Sequence, residues 1–149
     1  MGPGTEAETH VSGSPDETAA IAAEFAERLV PGDLVVLAGE LGAGKSVFVR
    51  GAAAALGYSG RVTSPTFAIG NVYPAGELEI AHLDLYRLAE IDVGDEAVLA
   101  DFITPERITF VEWPHDELAE EARLRAVVRI AHAGGDNRTI EIQMIEASP

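Results

Sequence analysis

The stretch Gly39-Glu40-Leu41-Gly42-Ala43-Gly44-Lys45-Ser46 fits the pattern G-x-x-x-x-G-K-[ST] at every specified position, and it constrains the fold more than any other part of the chain. Its glycines let the backbone close around a polyphosphate, so that successive N–H groups from Glu40, Leu41, Gly42, Ala43, Gly44, Lys45 and Ser46 point at the oxygens. Lys45 would reach the β and γ phosphates as a point charge, and the Ser46 hydroxyl would ligate a bridging magnesium ion. Before the loop, Leu34-Val35-Val36-Leu37-Ala38 is a short apolar run suited to a buried parallel strand. After it, Val47, Phe48, Ala52 and Ala55 recur at helical spacing, so the loop opens a helix whose positive end faces the anion. The plainer reading is a glycine-rich turn that happens to end in lysine. Against it stands the fact that Lys45 is the only lysine in a chain that otherwise uses arginine.

The expected fold class is therefore α/β: a phosphate-loop nucleoside triphosphatase with a mostly parallel central sheet, flanking helices and antiparallel hairpin additions. The 149 residues, 47% of them hydrophobic, suit a single domain spanning 1–149. No cysteine is present, so disulfides, thiolate metal sites and cysteine nucleophiles are excluded. No apolar run approaches the length of a membrane span, and the N-terminus lacks the profile of a secretory signal, so the expectation is a soluble cytoplasmic protein. A net charge of −15 repels nucleic acid unless a basic patch is set apart. The densest basic cluster, Arg123, Arg125 and Arg129, reads as one solvated strand face, so any RNA in this protein's biology should be held by a partner.

Residues 1–13 are polar and aperiodic and are expected to form a flexible tail. Ser14-Pro15-Asp16-Glu17 starts a helix with a serine N-cap, proline at the first helical position and a glutamate placed for a capping box. Ile21, Ala22, Phe25, Ala26 and Leu29 form its apolar face, and Pro31-Gly32 ends it. Gly57 caps the loop helix. Phe67–Tyr73 and Glu77–Leu85 read as strands joined at Pro74-Ala75-Gly76, and 92–102 as a short helix. Ile108–Val111 is a second buried strand, and Leu124–Ala131 with Thr139–Ile145 an antiparallel pair around Gly134-Gly135-Asp136-Asn137.

Ligands of open α/β sheets sit beyond the carboxyl ends of the parallel strands, which directs attention to the acids there. Asp84 lies between leucines at the end of one strand. It is either an acid that binds magnesium through water or orients the attacking water, or a cap on the strand-end turn. Glu112 follows the second buried strand, either as a magnesium ligand or as a rim carboxylate. Trp113 either covers the nucleotide site or packs in the core. Thr63-Ser64-Pro65-Thr66 either offers hydroxyls for a nucleotide-sensing segment or is an ordinary turn, and Thr18 either touches the nucleoside or is simply a hydroxyl at a helix start. The four histidines, at 10, 82, 115 and 132, show no metal-ligand spacing.

Gly39–Ser46, Ser64-Pro65-Thr66-Phe67, His82-Leu83-Asp84-Leu85-Tyr86-Arg87-Leu88 and Val111-Glu112-Trp113-Pro114, in this order and at these separations, resemble the TsaE family. These are small bacterial ATPases needed for threonylcarbamoyladenosine modification of tRNA, and the resemblance covers about residues 14 to 113. It implies an ATPase that works with TsaD and TsaB, TsaD transferring the threonylcarbamoyl group to the adenosine next to the anticodon in tRNAs reading codons that begin with A. By the family's pattern Lys45 binds phosphate, Ser46 and Glu112 hold Mg2+, and Asp84 serves hydrolysis. Ser46 stands where the family more often has threonine, and both hydroxyls can ligate the metal. Two other readings of the phosphate loop are a small-molecule kinase and a nucleotide-dependent switch. A kinase needs arginines gathered over the transferred phosphate, and Arg50, Arg61 and Arg87 are scattered. A guanine switch needs an N-K-x-D motif, which cannot occur because the only lysine is already in the loop.

Overall fold

The computed structural model describes residues 5–39, 44–60, 62, 70–84, 103–112 and 124–145. Their elements run β1 (Thr5–Ser12), α1 (Pro15–Ala26), β2 (Leu34–Gly39), α2 (Lys45–Leu56), β3 (Gly70–Ala75), β4 (Leu78–Asp84), β5 (Arg107–Glu112), β6 (Leu124–His132) and β7 (Arg138–Ile145). The strands form one sheet in the order β1-β7-β6-β2-β5-β4-β3. Its centre, β4-β5-β2-β6, is parallel, and antiparallel strands extend it on both sides.

The apolar run before the glycine loop is β2, central in the sheet and buried on both faces, which is why it reads as continuous rather than alternating hydrophobicity. Val35 and Leu37 face a large core with Phe25, Phe48, Ile80, Phe110, Val128 and Ile140, whereas Leu34 and Val36 face a smaller cluster with Leu83, Val111 and Leu124. Both described helices pack on the larger core, where the Phe25 and Phe48 rings meet at 5.6 Å between centroids.

Helix α1 starts as its sequence dictates: Ser14 Oγ accepts from the Glu17 amide, with Pro15 at the first helical position. Glu17 reaches back to the Gly13 amide, one residue earlier than a strict capping box would place it. The helix stops at Ala26, a turn before Pro31-Gly32, yet Leu29 still packs into the core from the following turn. On α2 the buried face is Phe48, Val49, Ala52 and Ala53, while Val47 is half-buried and Ala55 exposed. Gly51 sets the spacing of the helix pair: a Cβ there would lie 2.3 Å from the Ala19 carbonyl oxygen. At the helix end the Gly57 amide donates to Ala54 and the Tyr58 amide to Ala53, closing the expected glycine cap.

Two expectations are corrected. Residues 5–12, expected within a flexible tail, form an edge strand paired along its whole length with β7. The strand escapes a hydrophobic-pattern reading because its half-buried side chains are polar: Glu8 and His10 alternate with exposed Ala7, Thr9 and Val11, and Ser12 is fully buried. The β3–β4 turn is Gly76-Glu77, with Pro74 and Ala75 inside β3. Proline is tolerated there because β3 is the sheet's other edge. The expected helix at 92–102 and the segment Thr63–Thr66 lie outside the described residues. The hairpin of β6 and β7 and the strand β5 are as expected. No described helix is long and apolar enough to cross a membrane.

Candidate functional site

The parallel strands β4 and β5 end level with each other at Asp84 and Glu112, and β2 runs two residues further, to Gly39. Asp84 and Glu112 are register partners on neighbouring strands, so the sheet itself sets two carboxylates side by side. Like charges this close are tolerable only near a cation, and Lys45, the first residue of α2, supplies one. Its ammonium is held below the usual lysine range, chiefly by burial, while Glu112 and Asp84 pull it back up. Lys45 is only 5% exposed, and its Nζ donates to the Gly39 carbonyl at 2.9 Å.

The start of α2 is built for an anion. Gly44 at the N-cap has φ 109°, a left-handed conformation that a residue with a Cβ rarely adopts. No side chain caps the helix, and no acidic residue stands in its first turn. The first amides and the positive end of the helix dipole are therefore not claimed by a carboxylate of their own helix. Ser46 is half-buried in this first turn.

Beside Gly44 lies a cavity of about 120 Å³, walled by Ser14, Pro15 and Thr18 at the start of α1, Val47 of α2, and Asp136 and Arg138 of the β6–β7 hairpin. Thr18 is buried, and its hydroxyl meets Ser12 Oγ at 2.7 Å. Arg138 donates to the carbonyls of Gly135 and Asn137. No lysine or arginine stands at the start of the Gly134-Gly135 turn, but the guanidinium of Arg138 after it lines this cavity. Arg138 and Asp136 were not legible as site residues, because only the register of β7 brings them to α1 and α2.

Glu112 is also hydrogen-bonded to His82, Nε2 to Oε2 at 2.6 Å, with the histidine side chain fully buried. Ligand spacing did not reveal this pair. The usable signal was period two: residues 82 and 84 share one face of a strand. Among the described residues no group of three or more His, Cys, Asp or Glu could hold a metal by itself. Such a site suits Mg2+, which takes one or two protein oxygens and completes its shell with phosphate and water, and it does not suit zinc.

Thus Thr18, Gly44, Lys45, Ser46, Asp84 and Glu112 converge on one end of the sheet, and Glu40, Leu41, Gly42, Ala43 and Trp113 lie outside the described residues. Fold and site together define a single-sheet α/β protein with a phosphate-loop sequence between its central strand and the following helix. The family model for threonylcarbamoyl adenosine biosynthesis protein TsaE matches residues 12–140, and the chain belongs to that family. It is 39% identical to the tRNA threonylcarbamoyladenosine biosynthesis protein TsaE of Bacillus subtilis, over 85% of this chain and 79% of that one. It is 41% identical to the TsaE of Streptomyces coelicolor, over 75% of this chain and 77% of that protein. The crystal structure of Bacillus subtilis YdiB superposes with a TM-score of 0.71 at 33% identity, covering 95% of this chain and 88% of the other.

Proposed function

We propose that this protein binds and hydrolyses ATP with Mg2+ and serves threonylcarbamoyladenosine modification of tRNA together with TsaD and TsaB. The observation that carries the reading is the meeting of a buried Lys45, at the head of α2, with the paired strand-end acids Asp84 and Glu112. In a phosphate-loop enzyme the lysine reaches the terminal phosphates, and the acids serve the metal and the attacking water. The names of the relatives supply the tRNA-modification context.

In this reading the triphosphate lies against the amides of Glu40 to Ser46, and Lys45 gives up its contact with the Gly39 carbonyl to meet the β and γ oxygens. The Ser46 hydroxyl and the Glu112 carboxylate would hold Mg2+, which would supply positive charge beside the phosphates. Asp84 accepts a hydrogen bond from the attacking water and aims it at the γ phosphorus. The cavity beside Gly44 takes the nucleoside, with Thr18 in its wall.

An arginine finger raises phosphoryl-transfer rates by about 10³ to 10⁵, and we assign none among the described residues. Turnover by the chain alone is therefore slow, and a partner completes the site. The test is ATP hydrolysis by the purified chain with and without TsaB and TsaD. Stimulation by the partners is expected, and brisk turnover indifferent to them sinks the proposal. Asp84→Ala should lower turnover far more than ATP binding; equal loss of both would make Asp84 structural.

A further inference from the structure

The strand register places His82 opposite Phe110, one step of the pleat before the Asp84–Glu112 pair, on the face that carries both acids. From there its ring reaches diagonally across to Glu112. We propose that His82 is a positioning residue that holds the Glu112 carboxylate in the orientation it needs to ligate Mg2+.

The hydrogen bond, 2.6 Å between Nε2 and Oε2, lies where the histidine side chain is fully buried and that of Glu112 is 8% exposed. A carboxylate that ligates a metal only accepts hydrogen bonds, so this role requires the proton on Nε2.

The other ring nitrogen sharpens the case. Nδ1 of His82 is buried and has no hydrogen-bond partner among the described residues. An unpartnered polar atom in the core is a cost that a leucine or valine here would avoid. Among the described residues the ring's polar connection is to Glu112, which distinguishes it from a histidine stitched into the core on both sides. With Oε2 engaged by His82, Oε1 is left as the oxygen for the metal, and the carboxylate cannot swing without breaking the bond. Carboxylates that ligate metals are themselves fixed in this way by neighbours.

The inference rests on the reading of Glu112 as a Mg2+ ligand, and one set of variants separates the two. In the full-length chain bound to ADP, Mn2+ affinity is measured by the electron paramagnetic resonance of free Mn2+, and ADP affinity is measured separately in EDTA. His82→Leu should weaken Mn2+ binding by about 10- to 100-fold and leave metal-free ADP binding unchanged. His82→Gln, which restores an N–H donor, should recover part of the loss. Adding His82→Leu to Glu112→Ala should cost nothing further. Unchanged Mn2+ affinity in His82→Leu, with a loss in Glu112→Ala, overturns the positioning role alone. No loss in Glu112→Ala overturns the ligand reading and this inference with it. Should His82→Leu fail to fold, nitrogen NMR of the wild-type ring decides: a proton on Nε2 whose resonance moves on adding Mg2+ to the ADP complex supports the role, and a proton on Nδ1 overturns it.

Discussion

Among the described residues two carboxylate–histidine pairs stand out, each beside a basic residue, and they differ chiefly in where the fold puts them. At the sheet edge, Glu8 on β1 meets His10 at 2.7 Å and is also hydrogen-bonded by Arg28, from the turn after α1. All three side chains are about a third exposed. At the strand ends, Glu112 meets His82 at 2.6 Å with Lys45 nearby, and these groups are almost wholly buried. The same chemistry therefore has two outcomes. In water the charges are screened and the side chains are free to let go, so the edge cluster adds little beyond tying β1 to the helix layer. In the dry interior none of the groups can find water, so each constrains the next, and a carboxylate becomes a fixed ligand direction.

The largest effect should come from the buried side. Lys45→Met removes the only cation among those groups and should weaken ATP binding by about 10²-fold or more, checked with a fluorescent ATP analogue. Its melting temperature should change little, because the buried ammonium is disfavoured by desolvation in the free protein. Retained ATP binding would erase the distinction between the two clusters.

Gly51→Ala asks whether the site depends on helix spacing. The added methyl meets the Ala19 backbone, which cannot turn aside. A loss of about 1–3 kcal/mol is expected by chemical denaturation, with weaker ATP binding as α2 shifts.

Ser12→Ala probes the join between the two regions. Ser12 ends β1, is fully buried, and bonds both the Ser14 carbonyl and the Thr18 hydroxyl that lines the cavity. Removing it should cost about 1–2 kcal/mol and disturb nucleoside affinity without touching the phosphate loop. An unaffected affinity would mean that edge and site are independent.

The smallest effect belongs to Glu8→Gln, expected at under about 1 kcal/mol and fading with salt. The Arg28 hydrogen bond, more than the His10 one, holds the Glu8 carboxyl down from its ordinary 4.5 to about 2. Because the folded value lies below the unfolded one, this contribution is complete above about pH 4.5 and lost as the pH falls toward 2. The melting difference between parent and variant should therefore shrink over that window. A difference that grows on acidification would contradict the assignment.

Much of this was legible in residue order alone. The strand, loop and helix around Lys45, the Ser14 cap, the Gly57 cap and the two acid-tipped strands all follow from local rules, because helices, caps and turns are set by neighbours within a few residues. Pattern failed on β1, since its inward side chains are polar and its order comes from a ladder with β7, more than a hundred residues away. It failed likewise on His82 and Arg138, whose partners are chosen by register across strands.

The sequence by itself determined that Lys45 would stand at the head of a helix behind a phosphate-loop motif, because eight consecutive residues suffice to write that motif. Only the tertiary structure decided which acids face the lysine, which histidine holds one of them and which hairpin walls the cavity. Those choices depend on strand order and pairing, properties of the whole sheet that no stretch of the chain carries alone.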